Sequence, residues 1–205
     1  MTPTASSQTS STSPVAVDFS VYKNDTFSAG ASGPKRILWY LTNAIFFLSP
    51  FFISSGLKVF LLRLFGAKVG QGVIIKPRVN IKFPWKLSIG DHTWIGEGVW
   101  IDNLEPITIG RSVCLSQGAL LLPGSHDHRL VSFDYKSAGI VLEDGVWIAA
   151  RAMVGKGVVC KSHAILGMNS VAEKDLEPYT IYKGNPAVPV RKREIKPLST
   201  QPTSA

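Results

Sequence analysis

The residues of this 205-residue chain with the most evident chemistry stand together at Ser125, His126, Asp127 and His128. Histidine is the side chain best matched to moving a proton near neutral pH. Taken alone, His126 reads either as a general base or as an ordinary surface histidine. Asp127 follows it directly, but successive residues of an extended chain point to opposite sides, so the spacing does not make this carboxylate its partner. His126 and His128 fall short of the three or four ligands zinc requires, and no metal is expected.

Other catalytic arrangements are missing. The sequence has no Ser-His-Asp order, no glycine-rich phosphate loop at a strand-to-helix junction and no carboxylate pair at a defined spacing. A reaction that needs one base and an electrophile already activated fits what remains, and acyl transfer from a thioester is such a reaction. Cys114 and Cys160 have neither metal nor disulfide spacing and read as free thiols of a reducing cytosol. The formal charge of +8 favours an anionic partner. The basic residues look dispersed and lack interleaved aromatic stacking positions, so nucleic acid is not an expected partner.

What must position His126 is a repeat. An aliphatic residue returns every six positions at Val69, Ile75 and Ile81, at Ile89, Ile95 and Ile101, and at Ile109, Leu115 and Leu121. It resumes at Leu142, Ile148 and Val154, then Cys160 and Leu166. Four residues after most anchors stands a small or β-branched residue, Ser125 among them, and one residue after many stands glycine, expected to serve tight corners. A period of six fits neither a helix nor a continuous strand; it fits a short strand and a corner, stacked as a parallel β-helix. His92 and His163 fall three residues past an anchor, where solvent-facing side chains are expected.

The longer steps, Ile81 to Ile89, Ile101 to Ile109 and Leu121 to Leu142, each follow three regular anchors. Three strands therefore make one coil, and all three insertions project from the same corner. The longest carries His126, with Phe133 and Tyr135 beyond it. Such a loop is expected to be poorly supported within its own subunit and to cover a neighbour in a closed three-fold assembly.

Around the repeats, residues 1–34 read as a disordered tail without signal-peptide order, and 35–65 as an apolar or amphipathic helical segment divided at Pro50. Residues 66–187 form the β-helix, and 188–205 a basic C-terminal segment and tail. Three uses of the helical segment stand: packing on the β-helix, peripheral membrane contact through Ile37 to Phe65 with Lys35, Arg36, Lys58, Arg63 and Lys68 toward anionic headgroups, or, least favoured because Ser54, Ser55, Gly56, Lys58 and Arg63 interrupt the apolar run, a membrane span. A cytoplasmic protein, in the second case at the inner face of the membrane, is expected.

Several ordered motifs carry a family resemblance: Arg63-Leu64-Phe65-Gly66-Ala67, Pro84-Trp85, Gly124-Ser125-His126-Asp127, Gly145-Val146-Trp147-Ile148-Ala149 and Gly184-Asn185-Pro186-Ala187. With these the chain resembles the hexapeptide-repeat acyltransferases of left-handed β-helix fold, and most of all the colanic acid biosynthesis acetyltransferases. The resemblance implies a homotrimer with clefts between neighbouring β-helices, acetyl-CoA as co-substrate, and direct transfer to a sugar or glycan hydroxyl with His126 as general base. It places Ala150, Met168, Lys174 and Arg191 along the CoA site with Trp147 nearby, although Trp147 reads equally as a residue packed between coils. It places Asp102, Asn103 and Asp127 toward the acceptor, the first two with a simple turn role as the alternative. Acylation of another small acceptor, such as serine or an amino sugar, and a non-catalytic membrane-associated scaffold are the remaining alternatives.

Overall fold

The computed structural model describes residues 15–23 and 27–197. Its body is a left-handed parallel β-helix of triangular section, as the six-residue period requires. The first face stacks Lys68–Val69, Leu87–Ile89, Ile107–Ile109, Ile140–Leu142 and Val159–Cys160. The second stacks Ile74–Ile75, Trp94–Ile95, Cys114–Leu115, Trp147–Ile148, Ile165–Leu166 and Thr180–Gly184, and the third runs from Asn80–Ile81 to Val171–Ala172. Anchors pair with anchors one coil away, Ile89 with Ile109 and Ile109 with Leu142, so each face carries an unbroken inner column. From Ile75 to Leu166 every anchor is at most 3% exposed, and Val69, at the open end, is half-buried. Ala172, Leu176 and Tyr182 extend the core beyond the repeat visible in the sequence.

The corners differ from expectation in which residue bends the chain. Three residues after each anchor of the first two faces the backbone is left-handed: Gly72 and His92, Gly98 and Gly118, Arg151 and His163 among them. Histidine and asparagine tolerate that region better than most side chains, which accounts for His92, His163 and Asn169 at these positions. The glycines directly after the anchors serve close approach instead: a Cβ at Gly90 would stand 2.5 Å from the Gly110 carbonyl carbon of the next coil. His163 is not simply solvent-facing; its ring stacks on Tyr179 at 4.7 Å and 3°.

A parallel β-helix leaves backbone groups unpaired where its first coil begins. Here the helical segment satisfies them. Helix α1, Gly33–Thr42, continues into a π-helical turn at Asn43–Phe47, and α2 spans Ser55–Leu64 beyond Pro50, its first turn capped by the Ser54 hydroxyl. Trp39 Nε1 donates to the Ile81 carbonyl at 2.9 Å, Lys58 Nζ to that of Lys76 at 2.8 Å, and Arg63 Nη2 to those of Val69 and Gly70 at 2.8 Å. Each of the three faces thus receives a donor from the cap. Lys58, expected among residues reaching lipid headgroups, is fully buried, and desolvation lowers its pKa. Trp39, Phe47, Leu62 and Phe65 join the core of the coils. No helix among the described residues is long and apolar enough to cross a membrane.

The stretch read as a tail over 1–34 is structured where it is described. Residues 19–21 form a turn of 3-10 helix, and Trp85 Nε1 donates to the Ala29 carbonyl at 2.7 Å. Residues 1–14 and 24–26, and 198–205 of the C-terminal tail, lie outside the described residues. At the other end Ala187–Lys192 folds back antiparallel on Thr180–Gly184 and covers the last edge of the second face.

Trp39→Phe keeps an aromatic ring but removes the buried donor to Ile81. Urea denaturation is expected to show a loss of about 1–3 kcal/mol in unfolding free energy, the cost of one buried unsatisfied carbonyl. A variant as stable as the parent would mean that this bond does not hold the cap.

Candidate functional site

The long insertion between Leu121 and Ile140 is a hairpin, not a free loop. Gly124–His126 pairs antiparallel with Tyr135–Ser137, in the register His126 opposite Tyr135. The pairing carries Ser125 out of the inward column that its distance from Leu121 had suggested, and Ser125 is exposed. Glycine at 124 makes room for the Tyr135 ring, because a Cβ there would push the Tyr135 hydroxyl aside.

This geometry gives the neutral His126 ring a defined tautomer. Its Nδ1 lies 2.9 Å from the Phe133 carbonyl oxygen, and its ring stacks on the Phe133 ring at 4.5 Å and 8°. A carbonyl only accepts, so Nδ1 must carry the hydrogen, and in the neutral ring the lone pair belongs to Nε2. Tyr135 stands edge-on at 5.7 Å. Burial, and next Glu105, push its phenol up to about 12, so it stays protonated at neutral pH.

Asp127 does not reach outward as an acceptor ligand. Its carboxylate is 7% exposed and already engaged: Arg129 donates from its backbone and Nε to Oδ1, both at 3.1 Å, and Lys136 Nζ lies 2.7 Å from Oδ2. Arg129 and then Lys136 hold the carboxyl well below the usual range. With its backbone N–H donating to the Asp134 carbonyl at 2.8 Å, Asp127 ties the loop that presents Phe133.

Asn103 is likewise a structural residue. It is fully buried; its Oδ1 accepts from the backbone of Lys82 at 3.1 Å and of Phe83 at 2.9 Å, and its amide donates to the Phe83 carbonyl. The side chain is spent joining two successive corners. Asp102 keeps its candidacy. It lines a cavity of about 630 Å³ between α1 and the third face, with Lys82 Nζ 3.1 Å from its Oδ1. His126 does not line that cavity and is exposed.

The residues expected along CoA divide into groups. Ala150 and Met168 occupy one corner of consecutive coils, where the Asn169 N–H donates to the Ala150 carbonyl at 3.1 Å, and Met168 is 74% exposed. Trp147 lies on the outer side of the second face, partly exposed, and donates from Nε1 to the Ser116 hydroxyl of the preceding coil at 2.8 Å. Arg191 is in line with it, through Ile165 and Ile181, at the top of the same face. Lys174 is exposed after the third face, on the edge that carries His126. The corner of Ala150 and Met168 joins the second face to the third, whereas His126 projects between the third and the first. The width of the third face separates them within one chain.

The sequence reading missed the strap that lies over the hairpin. Phe19 meets Phe133 edge-on at 5.5 Å, Tyr22 lies 6.1 Å from His126, Phe27 packs on Tyr135 at 5.8 Å, and the Asp18 N–H donates to the Val131 carbonyl at 2.9 Å. The insertion is therefore supported within its own subunit, contrary to expectation. Three aromatic residues within a Ser- and Thr-rich stretch were the available signal.

No protein-family model matches the chain. It is 38% identical over 175 residues to the putative colanic acid biosynthesis acetyltransferase WcaF of Escherichia coli K12, covering 85% of this chain and 94% of that protein. The solved structure of a hexapeptide-repeat acetyltransferase from Vibrio cholerae O1 biovar eltor, complexed with acetyl coenzyme A, matches with a TM-score of 0.71 and 26% identity over 81% of this chain and 92% of that one. A galactoside acetyltransferase in complex with coenzyme A matches at 0.71 and 23% identity, over 82% and 86% of the two chains, and bears on the fold alone.

Because the Asp127 pKa is depressed, its ion pairs are fully present above the ordinary carboxylate range and are lost only as pH falls below it. Asp127→Asn is thus expected to lower turnover by a similar factor, about tenfold, from about pH 5 to 9 without moving the acid limb of the rate profile. A displaced acid limb would mean that Asp127 titrates together with the group that sets that limb.

Proposed function

Since the chain belongs to the hexapeptide-repeat acetyltransferases, we propose that it transfers acetyl from acetyl-CoA to a hydroxyl of a sugar or exopolysaccharide precursor, with His126 as the general base. The observation that carries this reading is the Nδ1 hydrogen bond to the Phe133 carbonyl, which leaves Nε2 as the acceptor of a proton.

In this reading the acceptor hydroxyl gives its proton to Nε2 as its oxygen bonds to the thioester carbonyl carbon. The carbon–sulfur bond then breaks, and the proton held by His126 passes to the departing sulfur, returning the ring to its neutral form. Acetyl-CoA supplies a good leaving group, so no acyl-enzyme is needed. The Phe133 carbonyl and ring fix the orientation of the imidazole. Lys174 and Arg191, both exposed cations, suit CoA phosphates, and Trp147 offers an exposed aromatic face in the same column of the second face as Arg191. Asp102, at the cavity, accepts hydrogen bonds from acceptor hydroxyls.

The site is shared between subunits of a trimer. The third face stands between His126 and the Ala150 and Met168 corner of its own chain, so a cleft that holds the thioester at the base takes its two walls from different copies.

Following thiol release from acetyl-CoA against a panel of sugars, nucleotide sugars and lipid-linked glycans tests the activity. Acceptor-dependent release is expected; release that no acceptor stimulates would favour a non-catalytic role. His126→Ala is expected to lower kcat by about 10²- to 10⁴-fold with acetyl-CoA affinity unchanged, and His128→Ala to cost far less. Equal losses, or loss of parent activity to a chelator, would replace this mechanism with a metal one.

Light scattering is expected to give a trimer. Equal mixing of His126→Ala subunits with Ala150→Trp subunits, which block the opposite wall, is expected to restore about a quarter of the parent activity, because a quarter of random interfaces join two intact walls. Mixed trimers that recover nothing would place both walls in one chain.

A further inference from the structure

The charge of this protein is not dispersed as its composition implied. Residues 27 to 90 contain nine lysines and arginines and no aspartate or glutamate, so this stretch alone carries +9 against +8 for the whole chain. It builds one end of the molecule: the helical cap and the first coil.

The same end is apolar on its outer surface. With Trp39, Phe47, Val59 and Leu62 turned inward, the cap presents Ile37 at 65% exposure, Ile45 at 52%, Phe51 at 87%, Ile53 at 76%, Phe60 at 60% and Leu64 at 66%. Arg36, Lys68 and Lys76 are exposed on the cap and the first coil, as is Arg63, although its guanidinium is bonded to the Val69 and Gly70 carbonyls. One side of the helices closes the β-helix, and the other has no partner among the described residues.

We propose that this end is a docking surface for a bilayer containing anionic lipid. Apolar side chains flanked by cations, on helices too short to span, are what lies in the headgroup layer of such a surface. The ten-residue α1 and α2 are each about 15 Å long. A second copy of the chain is a poor occupant, because two such ends brought together would oppose like charges. Lys58 takes no part, being committed to the backbone of the first coil.

Docking also fixes what faces the lipid. Arg36, Ile37 and Tyr40 form a wall of the cavity that Asp102 lines, so the acceptor end of the site comes to the bilayer surface. That consequence rests on the acceptor reading above; the docking itself does not, and the assay below reads docking alone.

The test is flotation of the full-length protein with vesicles of phosphatidylcholine and with vesicles in which part of it is replaced by phosphatidylglycerol. Binding is expected to be about tenfold or more stronger to the anionic vesicles at low salt and to be lost in 1 M salt, where charges are screened within about 3 Å. Phe51→Asp with Ile53→Asp, two highly exposed positions, is expected to abolish flotation while leaving the thermal melt and thiol release with a soluble acceptor unchanged. Equal binding to neutral vesicles, no binding to anionic ones, or full binding by the double variant would each overturn the proposal. So would a fall in molar mass of the double variant in a protein that never floats, since the face would then be an interface between copies.

Discussion

A stack of parallel strands has no natural end. Each coil satisfies the backbone of the one before it, so the first and last coils expose three short edges of unpaired N–H and C=O groups. Much of what is not repeat in this protein answers that constraint. At the start, Trp39, Lys58 and Arg63 each bring a donor to a different face, and the apolar side of the same helices extends the core. At the finish, the antiparallel return of Ala187–Lys192 covers the edge of the second face, and Arg193 Nη1 ties it back to the Gly145 carbonyl at 2.8 Å. The buried lysine is intelligible in these terms. Its side chain is fully buried, and its ammonium is spent on the Ile75 and Lys76 carbonyls, which no further strand can reach.

The stack that demands capping is also what makes the site possible. Coils that repeat with little change put successive corners in columns, and an insertion in one column disturbs neither neighbouring face. The hairpin at Gly124–His126 uses that freedom. Its antiparallel pairing brings the Phe133 carbonyl to His126 Nδ1, a contact with no counterpart in the regular coils. Asp127, Arg129 and Lys136 form a second layer that touches neither nitrogen of the ring but fixes the backbone that does.

Rigidity has a cost in reach. His126 is on one edge of the prism, and the corner of Ala150 and Met168 is on another, with a flat sheet between them. No rotamer change spans that width, so chemistry that joins the two edges depends on a second body. The uneven charge belongs to the same architecture. Because sequence order maps directly onto height along the stack, an acid-free stretch of sequence becomes a cationic end of the molecule.

The sequence by itself determined the coil. Period six, three anchors between insertions and one corner for all three insertions follow from where large aliphatics recur, because each short strand has a single inward position per six residues and the core admits little else. It also singled out His126. What the tertiary structure decided are the contacts between residues distant along the chain. Asp102 and Asn103 are adjacent in sequence, yet one lines a cavity and the other is consumed by the backbone of Lys82 and Phe83 one coil below. Phe19, Tyr22 and Phe27 read as a tail until they met the hairpin more than a hundred residues away. The periodicity of a solenoid encodes contacts made at a fixed separation, and the strap, the cap and the His126 tautomer all depend on contacts outside that register.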